Sequence, residues 1–162
     1  MFNRLSSFNR LSFNRVVSIE PESIEAPIVV WITTSTIIIC RGGRTAAVNI
    51  PRGDSRTLYY YIWDQNDQPV SLHDADVFYT VKKETTDLNS AIVIDKHTIG
   101  GGVEVIDPAL ALIAVYLSTD DTNIAECTYK FDIRVLKNGT EIYSTKPADF
   151  DIGDAVRKLP LI

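Results

Sequence analysis

The chain has 162 residues, 45% of them hydrophobic and 23% charged, which suits one globular domain and leaves too little chain for two good cores. A net charge of -5 and an isoelectric point near 5.0 argue against a nucleic-acid surface, which needs a basic stripe. The mean hydropathy of +0.02 fits either a strand-rich chain or one with apolar surface buried against other subunits.

The first fifteen residues form a short repeat: Phe2-Asn-Arg-Leu-Ser-Ser7, Phe8-Asn-Arg-Leu-Ser12 and Phe13-Asn-Arg15. The first two copies differ in length, so no helical or strand face stays in register, and the segment builds no core of its own. No acid occurs before Glu20, although the chain as a whole is acidic. Three readings stand side by side: a tail without a role, an arm that docks on an acidic or apolar neighbour, and an Arg- and Ser-rich targeting peptide. In the docking reading Phe2, Phe8 and Phe13 supply apolar contact, and Arg4, Arg10 and Arg15 supply charge. Val16 to Ala26 adds Glu20, Pro21, Glu22 and Glu25, with Pro27 next, and reads as an extended linker.

The most apolar run, Ala26 to Cys40, is broken by Thr33-Thr-Ser-Thr36 and falls short of the about 20 apolar residues of a membrane helix. Two short strands or one bent strand are expected there, then a turn at Arg41-Gly-Gly-Arg44 and a strand over Thr45–Ile50. Arg56–Trp63 carries large side chains on both faces, with Leu58, Tyr60 and Ile62 opposite Thr57, Tyr59, Tyr61 and Trp63, so it is expected to be a central strand. Val77–Lys83, Ala91–Asp95 and Val103–Ile106 read as further strands, the last two flanking a mobile turn at Gly100-Gly-Gly102. Asp107–Leu117 opens as a helix would, with Asp then Pro, but Ile113, Val115 and Tyr116 favour a strand, which is the assignment made. Tyr129–Val135 alternates most clearly, with Tyr129, Phe131, Ile133 and Val135 facing in. Asn138-Gly139 then predicts a type I′ hairpin, with Glu141–Thr145 returning.

Candidate sites are each explained by local geometry. Arg52-Gly-Asp54 matches an integrin-ligand tripeptide, yet it lies where a strand-entry turn wants glycine and aspartate. Asn138-Gly-Thr140 is a glycosylation sequon and also the hairpin turn. His73 beside Asp74 and Asp76 has no nearby nucleophile, and Asp64, Asn66 and Asp67 lack the glycine and distal glutamate of a calcium loop. Asp120 and Asp121 read as a turn, and Cys40 and Cys127 as buried free thiols, a bridge between them remaining open. Tyr59, Tyr60, Tyr61, Trp63, Phe78 and Tyr79 could be core or a carbohydrate platform. No catalytic constellation, metal site or cofactor site is expected.

Six ordered motifs carry a resemblance. They are the Gly-Asp turn before a hydrophobic strand (Ile50–Leu58), a Pro-Val turn (Pro69-Val70), a strand ending in Lys82-Lys83, a glycine-marked strand, the step Leu117-Ser-Thr-Asp-Asp-Thr122, and Tyr129–Ile133 with its hairpin return to Tyr143. In this order residues 46–152 resemble the N-terminal domain of the phage baseplate upper protein and related immunoglobulin-like tail modules. The usual Pro-Gly before the tyrosine is replaced by Ala125-Glu-Cys127, and residues 1–45 lie outside the likeness.

The resemblance implies an all-β, immunoglobulin-like sandwich of roughly seven to nine strands. The expected division is an arm and linker over 1–26, the sandwich over 27–156 and a tail over 157–162. It further implies a non-enzymatic virion component, an accessory tail or baseplate subunit or a capsid decoration, that docks by its arm and strand edges. Its partners would be other virion proteins and copies of itself, with no nucleic acid and no membrane. A carbohydrate-binding module for a host glycan is the alternative.

Overall fold

Burial alternates along most of the longer strands of the computed structural model, which describes residues 29–32, 35–85 and 91–154. Its strands are β1 (Val29–Ile32), β2 (Ser35–Arg41), β3 (Val48–Pro51), β4 (Arg56–Trp63), β5 (Ala75–Lys82), β6 (Ile92–His97), β7 (Val103–Asp107), β8 (Leu112–Leu117), β9 (Cys127–Lys137), β10 (Thr140–Ser144) and β11 (Ala148–Gly153). One helical turn, α1 (Thr119–Thr122), joins β8 to β9. These eleven strands exceed the seven to nine expected, because the apolar run after Ala26 divides into β1 and β2 and because β11 follows the hairpin.

The strands form two sheets. Sheet A has the order β1-β2-β4-β8-β7; sheet B has the order β3-β11-β9-β5-β6, with β10 also paired to β9. Most neighbours are antiparallel, but β2 runs parallel to β4 and β3 parallel to β11. The result is the expected all-β sandwich, with β4 in the middle of sheet A between β2 and β8.

The core lies where the inward positions of the two sheets meet. Leu58, Tyr60 and Ile62 of β4 face Val77, Tyr79 and Val81 of β5 and Phe131, Ile133 and Val135 of β9, all buried. Phe131 stacks on Tyr79 at 5.1 Å between ring centroids, and Phe150 meets it edge-on at 6.2 Å. Each such side chain removed from water contributes roughly 1.5–3 kcal/mol before conformational entropy is counted. The two buried tyrosines bond to each other across the sandwich, the Tyr60 hydroxyl donating to that of Tyr79 at 3.4 Å. Burial drives both phenols well above their ordinary pKa, so the pair stays neutral at working pH.

Turns follow their local chemistry. Asn138 and Gly139 both take positive φ, 53° and 78°, as a two-residue I′ hairpin requires. Asp107 accepts from the amides of Ala109 and Leu110, both at 3.0 Å. The helix-like start of Asp107–Leu117 is therefore a capped turn between the end of β7 at Asp107 and β8 at Leu112–Leu117. Gly100–Gly102 is a bonded turn: the His97 and Gly101 backbones exchange two hydrogen bonds, and the Gly100 amide donates to His97 Nδ1 at 2.7 Å. The strand expected over Thr45–Ile50 shortens to Val48–Pro51.

At the foot of β9 the Tyr129 hydroxyl donates to the carbonyl of Ala125 at 2.8 Å. This is the tyrosine-corner arrangement of immunoglobulin-type sandwiches, a strand tyrosine pinning the chain a few residues upstream. It forms although Ala125-Glu-Cys127 stands where the resembling domains have Pro-Gly.

Candidate docking surfaces

The two outward faces of the sandwich differ in kind. Sheet B presents Thr80, Lys82, Lys130, Asp132 and Arg134 with Asp149 and Asp151. Lys130 pairs with Asp149, Arg134 with Asp132 at 3.5 Å, and Thr128 donates to Asp151 at 2.5 Å. Exposed pairs of this kind add little to stability and chiefly keep the face wet. Phe78 interrupts it, stacked on His97 at 5.4 Å.

The middle of sheet A carries apolar side chains outside as well as inside. The register sets Ile37 beside Tyr59 and Ile39 beside Tyr61, and Tyr59 and Tyr61 in turn beside Ala114 and Leu112. Thr57 pairs with Tyr116, which is 42% exposed. Ile37, Tyr59, Tyr61 and Leu112 line a shallow groove of about 160 Å³. Strands apolar on both faces are the mark of a sheet covered on both sides. At one end Trp63 is capped by the Arg41 guanidinium, 5.5 Å above the ring, whose Nε is 2.7 Å from Asp67. At the other the Tyr116 hydroxyl donates to Glu104 at 2.6 Å, and that bond pushes the phenol up to about 12.

A cleft of about 410 Å³ opens between the start of β4, the end of β8 and the β6–β7 turn, lined by Arg56, Lys96, Tyr116 and Asp121 among others. Its charges are committed to the fold. One carboxylate oxygen of Asp121 takes Lys96 at 2.8 Å and both the amide and the hydroxyl of Ser118, at 2.6 and 2.9 Å. Ser118 in turn accepts from the Asp121 amide at 3.2 Å, which completes a capping box for α1. The Lys96–Asp121 pair thus ties β6 of sheet B to the helical turn that follows β8 of sheet A.

Partial burial would raise the Asp121 carboxyl, but the bonds from Lys96 and Ser118 outweigh it and hold the group below its ordinary value. A carboxyl whose folded pKa is depressed stabilises fully above its unfolded pKa, about 3.9. That stability is lost as pH falls through the folded value. We expect Asp121→Asn to cost up to about 1 kcal/mol at neutral pH, since the pair is partly solvated. Thermal melts between pH 7 and pH 2 should show the gap to the parent closing below about pH 4.

The motifs singled out in the sequence resolve into structure. In the Arg52-Gly-Asp54 turn, Gly53 has φ 81°, its amide donates to the Thr122 carbonyl at 3.3 Å, and Arg52 Nε donates to Asn123 at 3.1 Å. Asp64 folds its own loop, accepting from the amides of Asn66 and Gln68 at 2.7 and 3.0 Å. His73 and Asp74 lie exposed on a turn. Asp120 and Asp121 sit on α1, a helical turn where a plain turn was expected. Cys40 is buried in sheet A, where desolvation pushes its thiol up to about 12, while Cys127 is half-buried in sheet B; both are free. Among the described residues no three His, Cys, Asp or Glu side chains converge to hold a metal, and no helix is long and apolar enough to cross a membrane.

The six aromatics do not share a platform. Tyr60 and Tyr79 are core, Tyr59, Tyr61 and Trp63 lie on the outside of sheet A, and Phe78 lies on the outside of sheet B. What sequence reasoning missed is the company that Tyr59 and Tyr61 keep. The apolar residues at alternate positions of β2, Ile37 and Ile39, were its signal. The arm residues Phe2, Arg4, Phe8, Arg10, Phe13 and Arg15 lie outside the described residues, as does the tail over 157–162.

No protein-family model matches the chain, and no curated protein matches it. Among solved structures it is similar to the N-terminal domain of phage TP901-1 ORF48, with a TM-score of 0.54 and 13% sequence identity. The match covers 75% of this chain and 99% of that one, so the likeness, one of fold, spans a complete domain of a phage protein.

Proposed function

We propose that the chain is a structural subunit of a bacteriophage virion, an accessory subunit of the tail or baseplate or a decoration of the capsid. It acts by docking on other virion proteins, with no catalytic step. The fold match over 99% of a phage domain carries this reading, and the ordered motifs of residues 46–152 point the same way. The surfaces suit the role. Among the described residues, β1 and β7 of sheet A and β3 and β6 of sheet B are edge strands with backbone groups left to pair or be covered. The outer face of sheet A adds a ready apolar contact.

The groove formed by Ile37, Tyr59, Tyr61 and Leu112 favours protein over sugar. A glycan site needs polar groups converging beside its aromatic rings, and this groove is lined by apolar side chains and one pair of tyrosines. In the proposed role the protein assembles as a homo-oligomer within the particle, its arm and edges making the contacts. The test is mass spectrometry of purified virions together with sedimentation of the isolated protein. We expect the chain in the particle at a fixed copy number and an oligomer in solution. A monodisperse monomer that is missing from virions would overturn the proposal.

A further inference from the structure

The outer face of sheet A is built for burial, and the chain itself contains a segment suited to cover it. We infer that the Phe-Asn-Arg arm of one copy lies on the outer face of sheet A of the next copy, so that subunits join head to tail. This rests on the proposed oligomeric virion role and names the contact that would build the oligomer.

Charge is the first ground. Residues 1–15 carry three arginines and no acid, whereas residues 29–154 carry eleven Lys and Arg against eighteen Asp and Glu. The arm is thus attracted to a sandwich of its own kind, and Glu104 stands beside Tyr116 at the margin of the groove. Shape and polarity are the second. Phe2, Phe8 and Phe13 recur at intervals of six and five residues, and Tyr59, Tyr61, Ile37 and Leu112 offer apolar surface with little polar chemistry of its own.

The third ground is where the chain enters the sheet. Val29 pairs with Ile38, so the segment before it meets sheet A on its outer edge and near its Arg41–Trp63 end. Thirteen residues, 16–28, separate the arm from that point. Pro21 and Pro27 favour extended backbone, and Glu20, Glu22 and Glu25 repel one another. Extended, this linker spans roughly 40 Å, more than the roughly 26 Å of the eight-residue strand β4. A linker of that length is enough to let the arm reach a neighbouring sandwich. A head-to-tail contact of this kind closes into a ring when the rotation between subunits permits.

The experiment places the photo-cross-linker p-benzoylphenylalanine at position 8 of the full chain. That protein is mixed with an isotopically heavy wild-type chain, irradiated, and digested for mass spectrometry. We expect light-to-heavy cross-links on peptides containing Tyr59, Tyr61 or Leu112. Tyr61→Glu in the full chain should weaken self-association at least tenfold, and should have no further effect once residues 1–15 are removed, with melting curves confirming the fold. Cross-links confined to one chain, cross-links on other surfaces, or none at all would overturn the inference, and the cross-link needs no change on the face itself. Virion content separates the two failures. A chain present in particles without this cross-link leaves the virion role standing, whereas a chain absent from particles removes that role whatever the cross-link shows.

Discussion

Replacing Phe131 with alanine lowers the stability of the sandwich by about 3–5 kcal/mol, the largest single loss expected from a core truncation here. Phe131 sits on β9, the strand that joins β5 to β11 in sheet B, and is 1% exposed. Its ring contacts Tyr60 at 6.3 Å, Tyr79 at 5.1 Å and Phe150 at 6.2 Å, so it links both sheets. Removing it forfeits the transfer energy of the ring and leaves a void that the rigid β-branched neighbours cannot close. Domains of this size hold about 5–15 kcal/mol in total, so about a fifth or more of the margin goes. Urea denaturation should show a midpoint shifted down with an unchanged slope, and a melting temperature lower by roughly 10 °C. Thr128→Ala, on the wet outer face one position from Tyr129, should stay within about 0.5 kcal/mol of the parent. A Phe131→Ala loss no larger than that control would mean the aromatic cluster does not hold the sheets together.

How far the fold could be read from the chain depends on whether local pattern and tertiary context agree. On β9 they agree: a strand wet on one face and buried on the other prints a period of two, and Tyr129, Phe131, Ile133 and Val135 are buried as their spacing implies. On β4 the apolar residues on both faces correctly marked a central strand, since β2 and β8 flank it. Asp107–Leu117 mixed two signals because it contains two structures. Asp107 caps a turn, Ala111 at φ 56° reverses the chain, and β8 begins at Leu112. Strand β11, Ala148-Asp-Phe-Asp-Ile-Gly153, went unmarked because only Phe150 and Ile152 face inward between acids. Nothing local announces the parallel pairings of β2 with β4 and β3 with β11, which are set by how the two sheets close on the core.

The candidate surface was legible in halves. Tyr59, Tyr61 and Trp63 stood out as one face of a strand, but which strands lay beside them was a question of topology. Only the parallel β2–β4 pairing brings Ile37 and Ile39 alongside and turns three aromatics into an apolar surface. The same alternation that buried Ile38 and Cys40 left Ile37 and Ile39 facing out, a pattern that reads as a fully buried strand until the layers are known.

Deleting residues 1–15 should leave the sandwich folded and reduce the copies retained per virion at least tenfold. Stability is expected to change by no more than about 0.5 kcal/mol, since the buried core found in the structure draws its residues from Ile38 to Ile152. Retention is another matter. Burial of Phe2, Phe8 and Phe13 would contribute roughly 5–9 kcal/mol gross at about 1.5–3 each, against about 2–5 for ordering a free segment. At the middle of these ranges the difference is about 3.5 kcal/mol, more than the roughly 1.4 that a tenfold affinity change requires. On the head-to-tail reading each lost arm also uncouples a neighbour, so the effect would multiply around an assembly held by many such links. Arginine contacts should make the parent's retention fall with salt, and the truncated chain's residual retention should depend on salt less steeply. Quantitative mass spectrometry of virions assembled with either form reads both effects. Undiminished retention of the truncated chain would show the arm to be a passive tail, and the edges of the sandwich would then carry the anchoring alone.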